Sequence, residues 1–283
     1  MRFIILGNGQ KPRVPQEADR LHRRLVELGA EVLLIDLFRE RNLQQVQADI
    51  ALVLGGDGAI LRAANQMATN QIPVLGVNLG RLGFLADLDP DEVTSCLAAI
   101  LQGDYTTTSH LMLECRLQTN GACSTFLGLN EMIVRSGPPF KMLDLEVLVD
   151  QQVVSRFLGD GMIISTPIGS TAHSLSAGGP ILGQQIDAMV MTPLSGHTLT
   201  ARPLVDSADK VYTIRVRNAE GAWLVVDGQT IAEVFDGNEL RVSRSPTVFR
   251  LVKIPTKNYY HTLREKLHWG TTPNYHVEPD GNQ

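Results

Sequence analysis

Five consecutive apolar residues, 50–54, lead directly into the sequence Gly55-Gly56-Asp57-Gly58. A short apolar run closed by glycines is typical of a buried strand in a parallel sheet. The next segment, 59–67, is rich in helix formers, so the sequence predicts a strand, a glycine turn and a helix. Ligands of open α/β sheets bind at the carboxyl ends of the strands, where glycines let phosphates approach backbone N–H groups. Asp57 is therefore predicted to be an acceptor beside phosphates, which favours phosphoryl transfer to a hydroxyl group. The alternative is that Asp57 only caps the following helix.

The pattern around this turn predicts an N-terminal α/β domain over residues 1–104. Short apolar strands are predicted at 3–6, 31–37, 50–54 and 73–77. Helices are predicted at 17–28 and 59–67, with a third that is capped by Asp89 or Asp91 and ends near Leu101. Alternating strands and helices indicate a parallel sheet that is covered on both faces.

The pattern changes near residue 105 and predicts an all-β domain over residues 105–255. Short β-rich segments occur at 112–117, 143–149, 153–157, 211–216 and 240–242, separated by turns rich in Gly, Asn and Asp. Residues 260–269 again have a helical pattern. The chain end, 256–283, is therefore expected to pack back on the first domain.

Composition and charge exclude several classes of function. The net charge of −5 argues against a nucleic-acid-binding face and against docking to an anionic membrane. Residues 161–186 carry no Asp, Glu, Lys or Arg, but five glycines and two prolines favour a binding loop over a membrane span. The three cysteines include no C-x-x-C pair, and residues 3–6 are too short for the apolar core of a signal peptide. We expect reduced thiols and a cytoplasmic protein.

Three further clusters suggest a nucleotide site. The loop 160–180 is dense in small and hydroxyl residues, which let a base and a ribose pack against backbone. Asn130-Glu131 follows an apolar segment, and it either brackets a ribose or adenine edge or is an ordinary turn. Asp227-Gly228-Gln229 is read as a hairpin turn. Arg62 and Lys141 are either solvated surface charges or phosphate partners, and phosphate contact is favoured for Arg62. His173 either is a hydrogen-bonded core residue or contacts a ligand.

Taken in order, these clusters resemble the NAD kinase family over nearly the whole chain. Gly55-Gly56-Asp57-Gly58 is similar to the family signature, and Leu129-Asn130-Glu131 is similar to its Asn-Glu site. Other segments that resemble family motifs are 7–12, 76–85, 165–167 with 169–172, 176–180, 197–199 with 202–205, 227–229 and 263–267. The combination is specific, although single pieces are not.

The resemblance implies a fold and an activity. The fold is an N-terminal Rossmann-like α/β domain and a C-terminal β-sandwich, with the chain end returning to the first domain. The activity is phosphorylation of the adenosine 2′-hydroxyl of NAD by ATP, or by polyphosphate in some members, with a divalent cation such as Mg²⁺. The family also implies a homodimer or homotetramer in which a neighbouring subunit helps to complete the site.

The resemblance assigns roles to individual residues of this sequence. Asp57 is the proton acceptor for the 2′-hydroxyl, and Asn130 and Glu131 hold the ribose and adenine of NAD. The dinucleotide site is lined by Asp160, Thr171, Ala172 and Ser176, with Gly58, Phe84, Lys141, Ala188 and Gln229 around it. The expected nucleotide-binding set also contains Gly55, Gly56, Arg62, His173, Ser174 and Leu175. No residue is assigned to the metal.

Four positions depart from the family pattern and keep alternatives open. Ala59 and Ile168 stand where hydroxyl residues are usual, His173 stands where Tyr is usual, and Leu158 stands where a basic residue is often found. One alternative is therefore a weak or inactive NAD(H)-binding sensor of the same fold. The other is a lipid or sugar-phosphate kinase, since those families also contain Gly-Gly-Asp-Gly.

Overall fold

The computed structural model describes residues 1–39, 42–119, 122–197, 200–254 and 259–269. Its strands are β1 (Arg2–Gly7), β2 (Glu31–Asp36), β3 (Ile50–Gly55), β4 (Val74–Asn78), β5 (Thr106–Thr119), β6 (Ala122–Gly128), β7 (Glu131–Ser136), β8 (Leu143–Val149), β9 (Gln152–Gly159), β10 (Gly161–Ser165), β11 (Ala188–Leu194), β12 (Leu204–Ser207), β13 (Tyr212–Arg217), β14 (Ala222–Val226), β15 (Gln229–Val234) and β16 (Glu239–Lys253). Its helices are α1 (Arg13–Glu27), α2 (Asp57–Met67), α3 (Pro90–Leu101), α4 (His173–Ser176) and α5 (Tyr259–Leu267), with a 3₁₀ turn at Gly169–Thr171.

The first four strands form the predicted parallel sheet, in the order β2-β1-β3-β4. Neighbouring residues of β1 face opposite sides of this sheet. Phe3 and Ile5 pack with α1 and α3, whereas Ile4 and Leu6 pack with α2. Helices therefore cover both faces, and this is why residues 50–54 of β3 are apolar without interruption.

Helix α3 has the start that the sequence predicts, and Asp89 is its cap. The Asp89 carboxylate accepts hydrogen bonds from the N–H groups of Asp91 and Glu92, while the Glu92 side chain accepts one from the N–H of Asp89. Pro90 follows the cap, where its missing N–H costs nothing. The helix ends before Gly103, whose φ of 85° suits glycine.

The second half of the chain forms a β-sandwich, as expected. One sheet is entirely antiparallel, in the order β12-β11-β10-β7-β14-β15. It packs against β5, β8, β13 and β16 of the other sheet through alternating buried residues. Leu145 and Val147 of β8 share one apolar core with Met162 and Ile164 of β10.

Strand β16 joins the two halves of the molecule. It pairs antiparallel with β5 and β13, and parallel with β4 where Leu251 lies opposite Val74. The parallel sheet and one sheet of the sandwich thus form a single ten-stranded sheet. Both β5 and β16 are longer than predicted. Residues 106–110 of β5 are polar, and Pro246 and a register shift between Arg244 and Val248 interrupt the pattern of β16.

The uncharged stretch 161–186 is a loop region built around β10, the 3₁₀ turn and α4. Its hydroxyl residues are buried in part, with Ser165, Thr166 and Ser170 fully inaccessible to solvent. Across the described ranges, no helix combines the length and the apolar character that a membrane crossing requires.

Helix α5 confirms the helical pattern predicted for residues 260–269. Leu263 is buried, and the Lys266 ammonium lies over the ring of Phe84 in the N-terminal half. The described part of the chain end thus contacts the first domain. Residues 255–258 and 270–283 lie outside the described ranges, and the domain limits 1–104, 105–255 and 256–283 stay predictions.

Replacing Leu251 by Ala is expected to lower the free energy of unfolding by about 2–5 kcal/mol, because it opens a cavity where β16 meets β4. Leu251 is 1% exposed and belongs to the apolar cluster of that junction. Denaturant unfolding measures the loss. Val248→Ala is the control, since Val248 is 38% exposed on the same strand, and equal losses for the two variants would contradict the assignment.

Candidate functional site

Asp57 is the first residue of α2 and is held by backbone N–H groups of the loop after β4. Its Oδ2 accepts a hydrogen bond from the N–H of Phe84 (2.8 Å). Its Oδ1 accepts from the N–H groups of Leu85 (2.9 Å) and Ala86 (3.0 Å). A carboxylate has about four acceptor positions, so one position on Oδ2 stays open for a further donor.

Two glycines allow this close contact. A Cβ at Gly83 would overlap the Asp57 carboxylate, and a Cβ at Gly76 would meet Ile60 of α2 and the backbone at Leu85. Gly55 has a φ of 148°, which ends β3 and directs the chain into α2. The glycines thus place one carboxylate at the edge of the sheet, as the sequence predicts.

A pocket of about 420 Å³ opens beside Gly55 and Gly56. It lies past the carboxyl ends of β1, β3 and β4, and its wall includes Lys11, Arg13 and Arg81. Glycine N–H groups and basic side chains at strand ends are features that bind phosphate chains. The pocket therefore has the chemistry to hold a polyphosphate next to Asp57.

Asp227 holds the Asn130-Glu131 segment from within the protein. Its carboxylate accepts hydrogen bonds from the N–H groups of Leu129 (2.8 Å), Asn130 (2.7 Å) and Glu131 (3.1 Å). It also accepts one from the side-chain amide of Asn65 (3.3 Å), two turns along α2 from Asp57. One helix thus connects Asp57 with the Asn-Glu segment.

The Asn130 and Glu131 side chains keep unused polar atoms. Both residues are buried, and Asn130 Oδ1 and Glu131 Oε2 have no hydrogen-bond partner in the described part of the chain. Burial, and then the neighbouring Asp227, raises the pKa of Glu131 to about 8. Burial also raises the pKa of Asp227, but its three N–H donors favour the carboxylate form. Glu131 is therefore the member of the pair that keeps a proton near neutral pH.

The hydroxyl-rich loop packs directly against Asn130. Thr166 Oγ1 donates to the carbonyl of Leu129 (2.7 Å), and the N–H of Thr166 donates to the carbonyl of Asn130 (2.9 Å). A Cβ at Gly169 would overlap that second carbonyl, so glycine is required there. Ile168 is buried in one apolar cluster with Ile60 and other α2 residues, so the loop packs against the N-terminal half through this helix.

The structure brings one group of predicted residues together and leaves others apart. Asp57, Phe84, Asn130, Glu131 and the loop 166–177 lie around α2 through the contacts described above. Gly58 is exposed in the first turn of α2, Ser174 is buried against Thr192, and Thr171, Ala172 and Leu175 are half-buried, while Ser176 is exposed.

Other predicted residues make contacts elsewhere. Arg62 lies over the ring of Phe38 and near Asp36, and exposed Lys141 pairs with Glu220. His173 is exposed and lines a pocket of about 450 Å³ together with Trp223. Gln229 lines a different pocket with Asn65, Asp160 is exposed between β9 and β10, and Ala188 is half-buried at the start of β11.

Five residues that shape the site are not among those predicted from the sequence. Asp227 was read only as part of a hairpin, which it is, with φ values of 46° for Asp227 and 78° for Gly228. Its buried position depends on the fold, so no local signal reveals it. Asn65 gave no signal either, whereas Lys11, Arg13 and Arg81 lie beside glycine-containing loops where basic residues suggest phosphate.

Comparisons with known proteins identify relatives of this chain. Residues 39–105 match the model of the ATP-NAD kinase N-terminal domain, and residues 129–254 match that of the ATP-NAD kinase C-terminal domain. An NAD kinase of Rhodopirellula baltica is 42% identical over 270 residues, which cover 95% of this chain and 86% of that protein. An NAD kinase of Symbiobacterium thermophilum is 36% identical over 278 residues, with 94% and 98% covered.

Solved structures share the fold. The crystal structure of an NAD kinase from Archaeoglobus fulgidus in complex with ATP has a TM-score of 0.79 and 26% identity, and it covers 95% of this chain and 99% of that one. The structure of yeast NADH kinase complexed with NADH has a TM-score of 0.85, with 97% and 89% covered. Its identity of 23% supports likeness of fold alone.

Asp227→Asn is expected to lower the free energy of unfolding by about 2–4 kcal/mol, because an amide NH₂ would face buried N–H donors and leave them unpaired. Denaturant unfolding measures the change. Asp104→Asn, on the exposed turn after α3, is the control. A fully stable Asp227→Asn variant would contradict the role of the carboxylate as acceptor.

Glu131 gives the protein a pH-dependent stability. The carboxyl has a pKa near 4.5 when unperturbed and about 8 in the folded protein. Between these values the folded protein keeps a proton that the unfolded chain has released, so the free energy of unfolding falls as pH rises. Glu131→Gln lacks this pH-dependent decrease. Near pH 9 its free energy of unfolding is expected to exceed that of the parent protein by at least ~1.4 kcal/mol.

Denaturant unfolding of both proteins at about pH 5 and about pH 9 measures this difference. Exposed Glu233 provides the control, because its replacement by Gln leaves the pH dependence unchanged. Parallel pH profiles for the parent protein and Glu131→Gln would rule out a raised pKa.

Proposed function

Because the chain belongs to the NAD kinase family, we propose that it transfers a phosphoryl group from ATP to the adenosine 2′-hydroxyl of NAD and so forms NADP. The chain is a kinase by this membership, and relatives at 36–42% identity match most of its length. The observation that carries the proposal is the open acceptor position of Asp57, which lies between a basic, glycine-lined pocket and the Asn130-Glu131 segment.

Asp57 is the general base in this reaction. A ribose hydroxyl is a poor nucleophile until its proton is removed, and a well-placed carboxylate contributes about 10²–10⁴-fold. Three N–H donors hold the Asp57 carboxylate in one orientation. The remaining lone pair of Oδ2 accepts the hydroxyl proton as the oxygen attacks phosphorus.

The NAD adenosine binds at the Asn130-Glu131 segment. The unpartnered Asn130 Oδ1 accepts hydrogen bonds, and Glu131 offers both an acceptor and, while protonated, a donor. Both side chains therefore suit the mixed donors and acceptors of a ribose and an adenine edge. Thr171, Ala172 and Ser176 supply small surfaces beside them, and the exposed ring of His173 is available for stacking.

ATP binds with its phosphates in the pocket beside Gly55 and Gly56. Lys11, Arg13 and Arg81 provide positive charge there, and the volume of about 420 Å³ accommodates a phosphate chain. Polyphosphate carries the same charge pattern, so assays with each donor distinguish the two. The further predicted residues Gly58, Arg62, Phe84, Lys141, Asp160, Ser174, Leu175, Ala188 and Gln229 complete the proposed nucleotide-binding set.

A divalent cation such as Mg²⁺ fits this arrangement as a companion of the phosphates. Within the described ranges no group of three or more His, Cys, Asp or Glu side chains forms a metal site. Mg²⁺ is usually held by substrate phosphates, waters and one or two carboxylates, so a protein cage is unnecessary. When bound, the cation would neutralise phosphate charge.

The departures from the family pattern do not favour a non-catalytic sensor. Ile168 is 4% exposed in the apolar cluster with α2, where it stabilises the contact between the loop and the helix. Ala59 packs against the same cluster. Leu158 is exposed on β9. No hydrogen bond in the described ranges joins it to Asp57, Asn130 or Glu131.

The cellular setting follows from the same family. We propose a cytoplasmic homodimer or homotetramer, with residues 1–104 and 256–283 as the donor-nucleotide domain and residues 105–255 as the NAD-binding domain. The cysteines 96, 115 and 123 are unpaired, which suits a reducing compartment. Size-exclusion chromatography with light scattering measures the assembly.

Asp57→Asn is expected to reduce NADP formation by about 10²–10⁴-fold, because the amide cannot take the hydroxyl proton. Purified protein is given NAD or NADH, ATP or polyphosphate, and magnesium. An NADP-specific dehydrogenase then reads the product.

Two controls accompany this assay. NAD binding by calorimetry shows whether the variant keeps the dinucleotide site, and Asp104→Asn tests the loss of a carboxylate that lies elsewhere. Full activity of Asp57→Asn would contradict the role of Asp57 as general base. A parent protein that binds NAD without forming NADP would favour the non-catalytic sensor.

A further inference from the structure

Helix α5 bridges the two loops that border the site. At its start, the hydroxyl of Tyr259 donates to the carbonyl of Leu182 (3.4 Å), in the loop after the hydroxyl-rich segment. In its middle, Thr262 and Leu263 are buried. At its end, the ammonium of Lys266 lies 4.2 Å from the ring centroid of Phe84. The helix is thus docked on both halves of the molecule.

Phe84 connects Lys266 with Asp57. Its backbone N–H donates to Oδ2 of Asp57, and its ring contacts the Lys266 ammonium. The same oxygen of Asp57 is the one with an open acceptor position. Phe84 therefore contacts both the positive charge from the chain end and the carboxylate that serves as base.

Lys266 differs in its surroundings from three other lysines of the described structure. Lys141, Lys210 and Lys253 each pair with a carboxylate. Lys266 has no ion pair in the described ranges, and its neighbour Glu265 faces His261 instead. A half-buried ammonium without a counter-ion, set against an aromatic ring, is available to an anionic ligand.

We propose that Lys266 binds a phosphate oxygen of the nucleotides at Asp57, which makes it a phosphate-binding residue that the chain end contributes to the site. This inference rests on the proposed function. Phosphoryl transfer spreads negative charge over the transferred group, and catalysis depends on positioning and on neutralising that charge. An ammonium beside the base performs this task when the phosphates arrive, and Phe84 positions it beforehand.

The test compares Lys266→Met, Lys266→Arg and Arg264→Met. Methionine keeps the apolar stem over Phe84 and removes the charge, while Arg keeps the charge. Arg264 is exposed on the same helix and does not face Phe84, so its replacement controls for lost charge alone. For each variant, kcat and the KM values for ATP and NAD are measured at two ionic strengths, together with Tm and nucleotide binding by calorimetry.

Lys266→Met is expected to lose about tenfold or more in kcat/KM, with an unchanged Tm and a weaker dependence on ionic strength. Lys266→Arg recovers most of the activity, and Arg264→Met stays within about twofold of the parent protein. A higher KM for ATP assigns the contact to the donor, a higher KM for NAD assigns it to the dinucleotide, and a lower kcat alone assigns it to the transferred group.

Three results would overturn the inference. They are Lys266→Met activity within about twofold of the parent protein, an equal loss in Arg264→Met, and a loss that comes with a lower Tm and an unchanged salt dependence. The last result identifies a purely structural contact with Phe84. If the parent protein forms no NADP but Lys266→Met still weakens ATP binding, the proposed function fails and the phosphate contact stands.

Discussion

Hydrogen bonds from backbone N–H groups to the buried Asp227 carboxylate determine how the site is assembled. Three of them come from residues 129–131, and a further hydrogen bond comes from the side-chain amide of Asn65 on the helix that begins with Asp57. The β-sandwich and the α/β half are therefore connected through one acid. The hairpin between β14 and β15 thus supports the Asn-Glu segment of the candidate site.

Both halves of the site use the same physical device, a carboxylate surrounded by N–H groups. At Asp57 the donors leave one lone pair open, which gives the proposed base its direction. At Asp227 four donors occupy the acid, which makes it a structural anchor. Glu131 is buried beside Asp227, and its Oε2 has no hydrogen-bond partner in the described part of the chain. The pKa of Glu131 is therefore raised to about 8.

Local pattern predicted the fold well, because the parallel strands and their helices carry strong periodic and glycine signals. The apolar run before Gly55, the Asp89 cap and the hairpin at Asp227-Gly228 all appear as expected. The full extent of β5 and β16 does not follow from the sequence, since residues 106–110 of β5 are polar and a register shift after Arg244 interrupts the pattern of β16. The Asp227 anchor and the Lys266 contact join residues far apart in sequence, and such pairings depend on tertiary packing that no local pattern encodes.

The long strand β16 has a consequence for motion. It is hydrogen-bonded to β4 on one side of the junction and to β13 on the other, and β5 follows it along its length. A hinge rotation of one half relative to the other would have to bend this shared strand or break its hydrogen bonds. The shared strand therefore favours one fixed spacing between the two halves that border the cleft.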